Sequence, residues 1–340
     1  MNRSMTDNLM IVIPLKVTRR HDMFPPLNQY IQQNSTSHSS TVRQDLKRLS
    51  SIRNCIASNI CKHYAHKSAI DDNVLRDCQE YHAMLMECER IGLPIKEDLG
   101  MSDLEISWEC AFQRNGQLMI RSNIRHERIC VLFNIAALES YLGSIQDLNS
   151  KQGLAKAVQK YNIAAGIVHL IRTQLLPKDP YPSLDLTPSC LAMCESILLA
   201  QAQACVYDMA RSTSIKPLPS LLAKLAMGAA EYYGEAVLHA NDRMIQSQME
   251  DYRITLTKLK LQSACFRALS EFHESIKNRQ EREFGNEIAR LTLTEQLCLD
   301  GLKIGKSEHL EVLKRVCKER NEVAKKDNSE IYRALVPNSR

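Results

Sequence analysis

The sequence is short of the residues that punctuate a chain: it has only 11 glycines and 11 prolines, and stretches of tens of residues contain neither. That scarcity excludes a barrel or sandwich, which needs frequent tight turns, and points to helices. It also lacks any run of five or six basic residues. The net charge is +5, and the basic pieces are Arg19-Arg20, KRVCKER at 314–320 and the lysines at 325 and 326, so nucleic acid is not the expected partner. No CxxC pair occurs among the twelve cysteines, which fall at helical-core positions and are expected to be free thiols. No apolar run approaches a membrane span. LMIVIPL at 9–15 is short and broken by Pro14, so neither a signal peptide nor a spanning helix is expected. GxGxxG, P-loop, GxSxG and HExxH motifs are absent as well, and with them the usual signatures of nucleotide, acyl and zinc chemistry.

The chain does have a globular composition, 44% hydrophobic and 24% charged. MIVIPLKV at 10–17 reads as extended, because β-branched residues cluster there and Pro14 bars a helix interior. QNSTSHSST at 33–41 reads as a loop. Val42, Leu46, Leu49, Ile52, Ile56 and Ile60 share one helical face, and Val74, Cys78, Tyr81, Leu85 and Cys88 share another, which predicts an antiparallel helix pair. At 104–122 two β-leaning runs flank Asn115-Gly116, predicting a small hairpin. Helices are predicted over 124–147, 153–176, 188–211, 219–241, 246–280, 282–303 and about 307–327. Thr187-Pro188 marks one start, as an N-cap followed by proline at the first helical position. Helices of similar length with short connections imply an elongated right-handed solenoid of tetratricopeptide-like pairs, a mainly all-α architecture that presents grooves.

LAQAQACVYDMA at 199–210 poses a specific question. Gln201 and Gln203 are two apart on a helix, so they point to nearly opposite sides and one amide must face inward. Small residues, Ala200, Ala202 and Ala204, surround them. Other candidate chemistry is thin. Cys61, His63 and His66, with Cys55 nearby, have no usual zinc spacing and read better as helix-end polar residues. Cys190 and Cys194 are one turn apart and read as core thiols rather than a redox pair. A cysteine nucleophile assembled from distant residues has no positive support in the sequence.

Six segments together resemble one family: IVIPLKVTRRHDMFPPLNQYIQQ at 11–33, CVLFNIAALESYLG at 130–143, LAQAQACVYDMA at 199–210, LLAKLAMGAAEYYGEA at 221–236, REFGNEIARL at 282–291 and AKKDNSEIYRALVP at 324–337. In this order, over nearly the whole chain, they resemble the BRO-one domain family in its Alix-like form. The resemblance implies a boomerang-shaped helical domain, here a single domain over 1–340 ending about at the family's terminal VP. It implies no cofactor and no metal. It also implies a cytoplasmic, non-catalytic adaptor recruited to endosomes, which binds the C-terminal amphipathic helix of ESCRT-III subunits, the charged multivesicular body proteins, in sorting, budding or abscission.

Carried over residue by residue, the resemblance assigns the partner-helix patch to Val206, Leu221 and Leu225. Leu222 and Ala229 extend it in part, and Lys151 borders it. Lys151 stands where Alix-like relatives have an acidic residue, Ala155 where they have a basic one, and Val206 where they have an aromatic; a rim of reversed charge alters orientation and association rate. Tyr332 stands where some relatives carry a kinase-accessible tyrosine, and reads here as a packed residue near the domain end. The V-shaped coiled domain and proline-rich tail of Alix-like proteins do not follow in this sequence. Two other functions compete: a membrane-surface scaffold binding anionic endosomal lipid, and a rhophilin-like signalling scaffold, the latter weakened because no Rho-binding coiled coil precedes the domain.

Overall fold

The computed structural model describes residues 10–34, 40–66, 72–91, 93, 105–113, 118–121, 123–176, 183–213 and 217–337. Its helices are α1 (Phe24–Asn34), α2 (Ser40–His66), α3 (Asp72–Arg90), α4 (Ile124–Ser144), α5 (Lys151–Leu170), α6 (Pro188–Arg211), α7 (Pro219–Ala240), α8 (Arg243–Gln248), α9 (Tyr252–Gln280), α10 (Phe284–Ile304) and α11 (Glu308–Asp327). Strands β1 (Ile106–Trp108) and β2 (Met119–Arg121) pair antiparallel, Ser107 opposite Ile120, as the predicted hairpin requires. Its expected Asn115-Gly116 turn lies outside the described residues.

Local signals set most helix starts. Asn123 Oδ1 accepts from the backbone N–H groups of Arg125 and His126, Ser150 Oγ from Gly153, Thr187 Oγ1 from Cys190 and Ser307 Oγ from Leu310. Each bond satisfies an amide that has no partner within its helix. Proline occupies the first turn of α6 and of α7, where its missing N–H costs nothing.

From α4 onward, consecutive long helices pack in a row, α4 on α5, α5 on α6, α6 on α7, α7 on α9, α9 on α10 and α10 on α11. α2 and α3 form the predicted antiparallel pair: Arg48 pairs with Glu80, and Cys55 further along α2 reaches Asp77 earlier on α3. α6 lies in the middle of the row and is buried nearly all round, with Cys190, Leu191, Cys194, Ile197, Leu198, Ala200, Ala204 and Cys205 fully enclosed. Among the described residues it is the one helix long and apolar enough to cross a membrane, although no spanning helix is expected from the sequence. Yet 72% of that apolar window is buried inside the protein, the position of a core helix.

The N-terminal segment is extended, as expected; at its end Thr18 bridges antiparallel to Trp108 of β1, with Glu109 N donating to Val17 O at 2.8 Å, and before that its backbone is satisfied by helix side chains. Ile11 N donates to Gln201 Oε1 at 2.5 Å, Ile13 N to Ser140 Oγ at 3.3 Å and Lys16 N to Asn134 Oδ1 at 2.7 Å. Two buried ion pairs fasten this segment and the hairpin to the helices. Lys16 Nζ meets Asp185 Oδ2 at 2.5 Å, and the same carboxyl accepts from the amide of Ala111. Arg53 Nε meets Glu127 Oε1 at 2.9 Å, and Glu127 also accepts from Tyr81 and Trp108. Every charge is thereby paired and hydrogen-bonded, the condition under which buried ions are tolerated.

Two elements differ from the sequence reading. α1 is an element that the sequence analysis does not assign; Pro25 and Pro26 fall in its first turn, where proline is tolerated, and Asp22 Oδ1 accepts from Phe24 N at 3.0 Å. The single helix expected over 246–280 is two helices, α8 and α9. The chain breaks at Met249, which is extended, and Glu250 N donates to Phe112 O at 3.1 Å, tying the break to the segment that follows β1.

Candidate protein-binding groove

The candidate groove falls on α5, α6 and α7, which pack side by side. His169 Nδ1 lies 2.9 Å from Glu195 Oε1, and Arg172 reaches the other oxygen of the same carboxylate at 3.0 Å. This contact joins the end of α5 to the first half of α6, so the two helices run antiparallel, and equal steps back along α5 and forward along α6 bring Val158 level with Val206. Lys151, the first residue of α5, comes level with the end of α6. On the other side, Gln203 Nε2 donates to Leu225 O at 3.2 Å. Gly228 sits against the same amide: a Cβ there would lie 3.2 Å from Gln203 Nε2. One turn further along α6 is Val206, and in an antiparallel pair it comes level with Leu221 to Leu225 on α7.

Exposure sorts these residues. Leu221 is 46% exposed, while Val206 and Leu225 are half-buried, Leu225 resting on the core. Leu222 is 6% exposed and Ala229 fully buried, so both face the interior and support the patch from below rather than lining it. Lys151 and Ala155 are exposed on α5. Leu218, outside the patch that the resemblance assigns, is 69% exposed, and its spacing to Leu221 and Leu225 continues the same stripe toward the start of α7. Lys224, one residue before Leu225 on α7, is also exposed and gives the apolar stripe a basic neighbour.

Beneath the patch the packing is close. Ala223, Ala226, Ala229 and Ala230 of α7 are buried with Ala200 and Ala204 of α6, permitting near approach of the helices. Tyr207 and His273 of α9 share a hydrogen bond at 2.8 Å, and Tyr207 stands edge-on to Phe266. Burial, reinforced by Arg211, lowers the His273 pKa to about 4, so this bond joins two neutral groups. The question posed by the two glutamines has a divided answer. Gln201 is fully buried and holds the N-terminal segment rather than an adjoining helix; Gln203 is the residue that bonds the adjoining helix.

The other singled-out residues are not gathered into one site. Cys55 Sγ faces Asp77, Cys61 Sγ faces Thr18 O, and His63 stands edge-on to Tyr141; the side chain of His66 lies outside the described residues. Among the described residues no group of three or more His, Cys, Asp or Glu side chains is placed to hold a metal ion. Cys190 and Cys194 are both fully buried. The thiols of Cys55 and Cys61, the exposed cysteines, are pushed above the usual range by partial burial and by Asp77 and Glu109 respectively. That is the opposite of the acidified thiol a nucleophile needs. Tyr332 is 41% exposed and stacks on Phe284 with ring centroids 3.5 Å apart.

A serial array of packed helices with an exposed apolar stripe across its middle is a helical solenoid. The model of the BRO1-like domain matches residues 10–340, and the chain belongs to that family. It is 27% identical over 339 residues to the programmed cell death 6-interacting protein of Rattus norvegicus, a match covering 96% of this chain and 37% of that protein. It is 28% identical to the pH-response regulator protein palA/prr-1 of Neurospora crassa, with 98% of this chain and 38% of that one covered. The chain thus spans under two fifths of the length of these relatives. Among solved structures, the BRO1 domain of ALIX in complex with CHMP4C superposes with a TM-score of 0.80 at 25% identity, covering 97% of this chain and 90% of that one.

Proposed function

We propose that residues 1–340 form a single non-catalytic adaptor domain. Its α5–α7 groove receives the C-terminal amphipathic helix of an ESCRT-III subunit, and this contact recruits the protein to endosomes. The observation that carries the reading is the exposure of Leu221 beside Val206 and Leu225, on the face where α6 and α7 meet. Leucines left at the surface in one helical stripe, Leu218, Leu221 and Leu225, suit helix-in-groove recognition, in which partner residues at i, i+3, i+4 and i+7 fill the concave face. The related ALIX domain was solved with CHMP4C, which supports a partner of this class. Lys151 at the rim favours a partner helix with an acidic residue facing the start of α5, and chiefly governs orientation and on-rate.

Calorimetric titration of the chain with a synthetic C-terminal helix of an ESCRT-III subunit tests the reading. Micromolar binding, lost in Leu221→Asp and changed in Lys151→Asp according to the charge of the partner, is the expected result. A folded protein that binds no ESCRT-III helix, or binds it equally in Leu221→Asp, overturns the assignment.

A further inference from the structure

A second cleft lies away from the groove and shares none of its residues. It has a volume of about 620 Å³, within the usual range of ligand sites, and is bounded by the extended N-terminal segment, the residues after β1, the first half of α6 and the break between α8 and α9. Ile11, Ile13, Leu15, Phe112, Met193 and Ile197 give it an apolar floor.

Among the described residues its charged lining is of one sign: Glu109, Glu250 and Asp251 contribute carboxylates, and no lysine, arginine or histidine lines it. Glu109 and Asp251 have no ion pair or side-chain hydrogen bond among the described residues; Asp251 precedes α9 without capping it. The remaining feature is backbone. Ile11 and Ile13 turn their N–H groups inward to Gln201 and Ser140. In an extended chain successive N–H groups alternate in direction, so that of Val12 points the other way. Val12 is 40% exposed and its N–H and C=O make no hydrogen bond among the described residues.

We propose that this cleft docks an extended segment of a partner polypeptide in which apolar residues alternate with lysine or arginine. Apolar side chains of that segment point into the floor and the intervening cations face Glu109 and Asp251. One of its residues exchanges two backbone hydrogen bonds with Val12, in the manner of strand addition. Unpaired carboxylates beside an apolar floor select a cationic ligand, and the unpaired donor and acceptor of Val12 select a peptide over a small amphiphile.

The test uses the full chain carrying Leu221→Asp, which silences the α5–α7 groove, to select from a displayed library of random twelve-residue peptides. Selected peptides are then synthesised with a fluorophore and titrated by polarisation. The expected result is enrichment of alternating apolar and basic sequences whose affinity falls at least tenfold in Glu109→Lys/Asp251→Lys, falls in Val12→Pro, and weakens as salt is raised. Circular dichroism of each variant separates lost binding from lost folding, and Asp251→Asn gives a milder second variant. Absence of enrichment, enrichment of peptides lacking basic residues, or equal binding by the charge-reversed variant overturns the proposal. So does sedimentation showing that the cleft is closed by a second copy of the chain.

Discussion

Gln203 Nε2 donates to the carbonyl of Leu225 at 3.2 Å, and Gly228 leaves the room in which that amide lies. This contact locks α7 to α6 directly below the proposed partner-binding patch. Gly228→Ala places a methyl 3.2 Å from the amide and displaces it. The gain in helix propensity, about 1 kcal/mol, and the loss of one hydrogen bond, about 1 kcal/mol, nearly cancel. Thermal unfolding should therefore shift by only a few degrees, while affinity for the partner helix falls severalfold. A variant with unchanged affinity shows that the α6–α7 register does not set the groove.

Lys16 and Asp185 are a fully buried pair holding the N-terminal segment. Asp185→Ala leaves the ammonium uncompensated and should cost about 3–5 kcal/mol, read as a lowered urea midpoint. The combined Lys16→Met/Asp185→Leu variant should recover much of that loss, because no charge then remains buried. Equal destabilisation by both variants contradicts this account.

Three histidines make the fold sensitive to acid. Burial, then a neighbouring cation, lowers His126 to about 3, His82 to about 4 and His273 to about 4. The unfolded chain binds their protons near pH 6.5 and the folded one does not, so stability is complete above pH 6.5 and lost as pH falls from there toward 4. The melting temperature should drop through that window, and His273→Gln should flatten the slope. A melting temperature constant from pH 6.5 to 4 contradicts the assignment of these rings as buried and neutral.

At the other end, the segment after α11 crosses α10 so closely that a Cβ on Gly285 would lie 1.9 Å from Leu335 O. Asn328 brackets Ala334, accepting from its N–H and donating to its carbonyl, and Tyr332 lies on Phe284. Gly285→Ala should lift this segment, since backbone cannot yield as a side-chain tip can. Amide exchange of residues 333–337 should speed markedly while that of α9 is unchanged; unaltered exchange refutes the crossing.

Much of the helical order was legible because its causes are local. Thr187-Pro188 starts α6 and the periodic leucines and alanines carry α7. The break at Met249 was not legible, since its cause is the tertiary bond from Glu250 to Phe112. Nor was α1, where two prolines resemble a stop until their place in the first turn is known. In the groove, spacing alone puts Leu221 and Leu225 on one face. It does not show that Leu222 turns inward or that Leu218 stands out, because exposure depends on α6 and α9 rather than on α7 itself. Gln201 and Gln203 are alike in sequence, and their different tasks follow only from which neighbour each meets.

The central claim is the seat of the partner helix, and methyl nuclear magnetic resonance of Val and Leu side chains measures it directly. On titration with an ESCRT-III C-terminal helix, the methyls of Val206, Leu221 and Leu225 should shift together and most strongly, with Leu222 moving less. Shifts confined to other methyls, or none at saturating peptide, contradict the account.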